Sequence, residues 1–274
     1  MKERGYTHQV LVRLKQTDHG ILRNGIWAYT NERLCKDDLI TVQIVENECS
    51  DNIAPVNLPL DIAYEDDDII VINKPFDMPA HPSAGNHDNT LANALMYYYG
   101  SQNKPFVYRC INRLDRDTTG LTIVAKHALA GGILGNAVAK RALHRTYYAV
   151  CSGCTPACMR ISAPIARKDA STIERCVDFK RGENAVTDFI RIKYNPDNNL
   201  SLVKLRLLTG RTHQIRVHMK YIGFPLIGDF LYNPDYTYIS RQALHSGRLV
   251  FTHPVTGQKM NLISDIPSDM KSLF

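Results

Sequence analysis

CINRLDRDTTGLTIVAK, residues 110–126, sets Arg113, Asp115, Arg116 and Asp117 directly before an aliphatic run. Residues 121–126, LTIVAK, read as a short buried β-strand. A solvated charge run belongs between elements, not at the mouth of a core strand. Here a carboxylate is set beside cations and carried by a rigid frame. Two readings of Asp115 are open at this point. Arg113 and Arg116 favour its ionised form, the form that acts as nucleophile or base. Alternatively, the run is a structural ion cluster with an aspartate capping a turn.

Upstream, DIAYEDDDIIVINKP leads through an acidic turn into a second buried strand that stops at Pro75. NTLANALMYYYG then reads as a helix, capped at Asn89 and closed by Gly100. Downstream, HALAGGILGNAVAKRAL follows as a helix weakened by mid-helix glycines. RTYYAVCSG, AVTDFIRIKY and SLVKLRLLTG are further strands. Strands outnumber helices and no regular βαβ alternation appears. The fold class expected is α+β, with a mixed, mainly antiparallel sheet.

Residues 1–47 form a separate small α/β unit. Val10, Leu11 and Leu14 have helical spacing, Asn24-Gly25 is a turn signal, and residues 39–45 alternate like a strand. Arg13, Lys15 and Arg23 make it basic. Residues 48–58, polar and proline-containing, read as a linker, and residues 59–274 as the main domain. The 274-residue chain is 44 % hydrophobic, enough for a sizeable core, and carries a formal charge of +6, compatible with a polyanionic partner. No apolar run reaches the length of a membrane span, and the N-terminus lacks the apolar segment of a signal peptide. Seven cysteines at irregular spacing argue against a disulfide framework and for a reducing, cytoplasmic setting. No exposed apolar stripe stands out, so a monomer is expected.

Two more segments carry chemistry. In LLTGRTHQIRVHMKYIGFPLIGD, residues 207–229, Arg211, His213, Gln214, Arg216, His218 and Lys220 crowd one stretch. Such a density of donors fits a phosphate or carboxylate partner, or else is the polar face of a helix. In HRTYYAV, Tyr147 and Tyr148 point to opposite faces of a strand, so one is free to line a pocket. Cys151, Cys154 and Cys158 have a C-x2-C-x3-C spacing, but no fourth ligand lies nearby in sequence. No phosphate-binding glycine loop, dinucleotide fingerprint or serine-hydrolase elbow is present.

The order INRLDRDTTGLTIVAK, HRTYYAV, LLTGRTHQIRVHMKYIGFPLIGDFLY, LHSGRLVFTHPVTG resembles the RluA family of RNA pseudouridine synthases over roughly residues 60–270. The N-terminal unit resembles a shortened S4-type RNA-binding domain through GILRNG and KDDLITV. The resemblance implies isomerisation of a uridine in ribosomal or transfer RNA, without metal or organic cofactor. It makes Asp115 the nucleophile, Tyr147 the active-site tyrosine and Arg216 the partner of the catalytic carboxylate. Arg113, Asn112, Arg211, His213, Gln214, Lys74 and His81 become the expected substrate contacts. The target base must leave its stack to reach such a pocket. Asp115 would then attack the anomeric carbon, or assist uracil loss and deprotonate the ribose. Tyr147 would stack on the flipped base and act as a base.

The chain departs from the family pattern at Asn112, where histidine is usual, and at Asp77, where glycine is usual. Two rivals stand: a non-catalytic RNA-binding protein on the same frame, and a metal-dependent nucleic-acid enzyme using the cysteines.

Overall fold

The computed structural model describes residues 5–46, 48–83, 85–169 and 173–274, so the boundary expected at residue 47 lies outside the described residues. Thr7 caps α1 (His8–Gln16), its hydroxyl accepting from the Val10 N–H at 3.3 Å. β1 (Ile21–Arg23) and β2 (Ile26–Trp27) are joined by Asn24 and Gly25 at φ 52° and 82°, the left-handed pair that a tight hairpin requires. β3 (Ile40–Val42) pairs with the other side of β1. Val10, Leu14 and Ile21 close a small core against Leu129, an early residue of α3 (Ala128–Ala139). A Cβ at Gly132 would meet the Thr7 methyl at 2.7 Å. That glycine weakens α3 by propensity, yet it admits the close approach of the N-terminal unit.

The rest is built on a nine-stranded sheet ordered β4-β5-β6-β13-β7-β12-β11-β8, with β14 also paired to β13. Its strands are β4 (Ile62–Glu65), β5 (Ile69–Lys74), β6 (Thr119–Ala125), β7 (His144–Ser152), β8 (Cys158–Ser162), β11 (Val186–Asn195), β12 (Leu200–Leu207), β13 (Leu244–Thr252) and β14 (Lys259–Ile263). Every pairing is antiparallel except β6 with β13, so the class is α+β with a mixed, mainly antiparallel sheet. A separate two-stranded sheet pairs β9 (Ile165–Arg167) with β10 (Arg175–Val177).

β5 and β6 are buried on both faces. Ile70 and Ile72 pack with Leu91, Leu95 and Tyr99 of α2 (Leu91–Gly100), whereas Ile69, Val71, Leu121 and Ile123 pack with Ala130 and Leu134 of α3. Burying each such side chain contributes about 2 kcal/mol. This explains the aliphatic run after the charges. The cap of α2 is Thr90 rather than Asn89, because Thr90 and Asn93 exchange side-chain and backbone hydrogen bonds in a capping box. Where β6 meets β13, Gly120 has φ 103°, and a Cβ there would overlap the Ser246 carbonyl. α4 (Gln214–Tyr221) lies against the sheet with Gln214 to Met219 all buried, so it is not a solvated polar face. A short α5 (Ser268–Lys271) follows β14.

Candidate active site

Asp115 sits in the loop that feeds β6, its side chain 30 % exposed on the floor of a cleft of about 960 Å³. A narrower niche of about 80 Å³ opens beside it, lined by Asp115, Tyr147, Arg145, Arg216 and Leu244 among others. Its partner is not a sequence neighbour. Arg216 Nη1, from α4, donates to Asp115 Oδ2 at 2.9 Å across 101 residues. The neighbouring arginines point elsewhere: Arg113 is exposed at the mouth, and Arg116 bonds Asp117 at 3.2 and 3.3 Å. The expectation that Arg113 and Arg116 flank the carboxylate is therefore corrected. Consecutive loop residues diverge, and a helix supplies the cation.

Arg216 is itself aimed by Asp229, which is fully buried. Asp229 accepts from Arg216 Nε and Nη2, both at 2.7 Å, and from the backbone N–H groups of Leu231 and Tyr232. With that edge of the guanidinium fixed by Asp229, the remaining nitrogen is turned to Asp115. Burial opposes the charge on Arg216, but the hydrogen bonds of Asp229 and the field of Asp115 outweigh it and raise its pKa. The Tyr232 and Phe230 rings lie 5.0 and 5.4 Å from the guanidinium carbon. Asp115 Oδ1 takes no hydrogen bond from the described residues and is free to face a sugar.

Tyr147 is the inward member of its pair, buried beside Leu114, Val203 and Leu205, whereas Tyr148 turns to the other face. Burial pushes its hydroxyl pKa up, helped by Asp115 and opposed by Arg145. At neutral pH it is a phenol, fit to stack and to donate. The free protein does not hold it as the phenolate that a base requires.

Of the expected substrate contacts, the structure brings Arg113, Arg211 and His213 to the cleft and the niche, and His81 to the cleft wall. His213 adopts φ 57° at the start of α4, with Nδ1 3.0 Å from the Tyr232 hydroxyl and Nε2 3.9 Å from Asp115 Oδ2. Burial lowers its pKa against the pull of Asp115, so it is neutral at neutral pH. Arg211 pairs with Glu183 and donates to the Asn184 carbonyl.

Three other residues are braces instead. Asn112 is buried and holds β6 through Leu121 O at 3.1 Å and Ile123 N at 2.8 Å. Gln214 has its amide nitrogen on Val186 O and Thr187 Oγ1, and its oxygen receives Thr209 Oγ1 and Arg211 N. Lys74 is 1 % exposed and donates to the carbonyls of Pro75, Met78 and Arg116 at 2.7–2.8 Å. Burial pushes its pKa down to about 7, against the fields of Asp117 and Asp115. Its ammonium ties the Asn-Lys-Pro segment to the Asp115 loop. Each has its polar atoms occupied by protein and acts as a brace, although Asn112 also lines the cleft and Gln214 the niche.

The cysteine spacing does not converge either. Cys151 lies in the core, and Cys154 Sγ receives Arg191 Nη1 at 2.7 Å. Among the described residues, the group whose atoms gather as metal ligands do is Asp66, Asp68 and His253. There His253 Nδ1 accepts from the N–H groups of Val255 and Thr256, which places the proton on Nε2, 2.9 Å from Asp66 Oδ2. A protonated nitrogen is no metal ligand. The group brings two turns together, with His253 Nε2 making no aligned hydrogen bond there.

Asp229 and Arg145 are the site residues that sequence reasoning missed. Their available signals were an acid closing the segment that begins with LLTGR, and a basic residue two positions before Tyr147, on the same strand face.

A carboxylate aimed by a buried arginine, on the floor of a cation-lined cleft, suits chemistry on an anionic substrate. Comparison with known proteins agrees. Residues 68–221 match the RNA pseudouridylate synthase family. A Bacillus subtilis protein, "Uncharacterized RNA pseudouridine synthase YjbO", is 38 % identical over 99 % of this chain and 95 % of its own. The "Ribosomal large subunit pseudouridine synthase D" of Haemophilus influenzae is 41 % identical over 84 % of this chain and 75 % of its own. The solved structure of "Human RNA Pseudouridylate Synthase Domain Containing 1" superposes with a TM-score of 0.63 and 26 % identity, covering 76 % of this chain and 83 % of that one. The chain belongs to the RNA pseudouridylate synthase family, in its RluA group.

Proposed function

We propose that this protein isomerises a uridine of structured ribosomal RNA to pseudouridine, with Asp115, Tyr147 and Arg216 as its catalytic residues. The observation that carries the reading is the chain Asp229–Arg216–Asp115, which presents one unbonded carboxylate oxygen to the niche beside the Tyr147 ring. A uridine extruded from the RNA enters the cleft, its base lying on Tyr147 and its sugar facing Asp115. Attack at the anomeric carbon and base loss followed by ribose deprotonation both start from this same carboxylate. Arg216 holds it oriented, and the released uracil turns over against the ring before carbon–carbon rejoining. Ribosomal RNA is favoured because several relatives are named for the large ribosomal subunit.

The N-terminal unit is read as a phosphate- and base-holding appendage. Its support is the exposed Arg33 and Lys36 and the stacked pair Trp27–Tyr29, with ring centroids 5.8 Å apart. The protein is read as a cytoplasmic monomer; no helix among the described residues is long and apolar enough to cross a membrane.

The test is pseudouridine mapping in total RNA from cells lacking the protein, complemented with wild type or Asp115→Asn. One site should vanish with the protein, return with wild type and stay absent with the variant. In vitro, the variant should lose turnover by about a thousandfold or more while keeping its fold and RNA affinity. If the lost site lies in transfer RNA, the substrate assignment changes. If no site responds, the non-catalytic RNA-binding reading replaces it.

A further inference from the structure

The donors that line the niche are almost all occupied by protein. Arg216 has Asp229 and Asp115, Arg211 has Glu183, and the Gln214 amide has Val186 and Thr187. Two arginines differ: Arg113, which is exposed at the mouth, and Arg145. Of the two, Arg145 is the shielded one. It lies two residues before Tyr147 on β7, half-buried, with its side chain toward the same niche and cleft. Among the described residues it has no acidic partner within ion-pair distance. Its Nε is shielded from water and makes no hydrogen bond. A shielded donor without an acceptor destabilises the free protein, more so when charged. The guanidinium sits beside the Tyr147 hydroxyl, and a Cβ at Gly210 would come within 3.3 Å of both its terminal nitrogens. The bare glycine keeps one side of the guanidinium open.

The charge balance points the same way. Four arginines line the niche, and once Arg216 is matched with Asp229 and Asp115 and Arg211 with Glu183, Arg113 and Arg145 remain without an acid among the described residues. A neutral uracil gives no reason for that excess, but the backbone that accompanies a flipped nucleotide does. We propose that Arg145 is a substrate-binding residue that holds a phosphodiester next to the extruded uridine, its planar fork matching the phosphate oxygens. So anchored, the nucleotide has its base over Tyr147 and its sugar against Asp115. This rests on the functional reading above and adds the group on the RNA by which the site grips its substrate.

The test uses the RNA whose uridine is mapped in the cellular experiment, made with one neutral methylphosphonate linkage 5′ or 3′ of that uridine. Wild type on unmodified RNA comes first: absence of pseudouridine there overturns the functional reading, and the present inference with it. Given activity, one neutral linkage should raise the wild-type KM by about ten- to a hundredfold, with a smaller change in kcat. Arg145→Met should raise KM similarly on unmodified RNA and lose nothing further on the neutral linkage. Arg145→Lys should recover part of the loss. Losses from the variant and from the linkage that multiply at both positions would show independent roles and overturn the proposal. So would an Arg145→Met enzyme with wild-type KM, or a wild-type enzyme indifferent to both neutral linkages. Should Arg145→Met fail to fold, Gly210→Ala crowds the same guanidinium, and its KM penalty must shrink on the neutral linkage.

Discussion

The floor and the rim of the cleft are built from the same residue types and behave as opposites. On the floor, Arg216 and Asp229 are 1 % and 0 % exposed at their side chains, and three hydrogen bonds of 2.7–2.9 Å leave the guanidinium one orientation. On the rim, Arg116 spans Asp117 at 3.2 Å and Asp77 at 3.7 Å while 46 % exposed. Surface pairs of that kind contribute about 0–1 kcal/mol and are screened by salt. A buried pair is costly to form and more costly to break, because the survivor is left charged without water. The floor is thus set before any RNA arrives, and the rim can rearrange around it.

The largest effect should follow from breaking the floor one step behind the chemistry. Asp229→Asn keeps the shape but removes the charge that aims Arg216. It should destabilise the protein by roughly 3–5 kcal/mol in denaturant titrations. Displacement of Arg216, and with it Asp115, should lower kcat by about a hundredfold. A variant as stable and as active as wild type would mean that the floor resembles the rim.

A second, smaller effect lies beneath the floor, where β6 meets β13. Buried His245 has Nδ1 2.9 Å from Thr119 Oγ1 and Nε2 3.2 Å from the Ser264 carbonyl. Burial lowers its pKa from 6.5 to about 4, against the pull of the Ser264 carbonyl. Between these values the unfolded chain binds a proton that the native state does not. The stability this group contributes is therefore present above pH 6.5 and lost as pH falls toward 4, about 3 kcal/mol in all. Denaturant midpoints of wild type and His245→Gln, measured at pH 7 and pH 4.5, should diverge in acid, with the variant falling less steeply. Parallel slopes would place the acid sensitivity elsewhere.

The contrast between floor and rim also marks what the sequence could tell. The strands and helices around residues 69–152 were legible because their apolar spacing is local, and the Asn24-Gly25 turn because only a few residues accept its backbone. Asp115, Tyr147 and Arg216 were singled out through family resemblance, not chemistry. From chemistry alone, Arg113 and Arg116 were the natural partners of Asp115. Asp229 was hidden because its meaning depends on α4 folding back 13 residues away. Lys74, Asn112 and Gln214 read as ligand contacts for a related reason. A polar side chain that caps buried carbonyls reads in sequence as one that binds a ligand, and only burial separates the two. The parallel pairing of β6 with β13 left no local sign at all.

The smallest effect belongs to the rim. Asp77 stands where the family pattern has glycine, and it adopts φ 55°, the left-handed region that glycine enters without steric cost. Aspartate tolerates that region better than most residues, so the loop forms with modest strain. Asp77→Gly should relieve the strain, while the added backbone freedom of the unfolded chain opposes the gain. The net change should stay within about 1 kcal/mol and lean toward stabilisation. The Asp77 carboxylate is 67 % exposed and only 3.7 Å from Arg116, so little electrostatic stabilisation is lost with it. Its removal also withdraws a negative charge from beside Arg116, which lines the cleft. RNA affinity should therefore rise slightly, and more at low salt than at high. Melting temperature and a salt series of binding constants measure both. A loss of more than about 1 kcal/mol would mean that the Asp77–Arg116 contact stiffens the rim, and that rim and floor differ less than their exposure indicates.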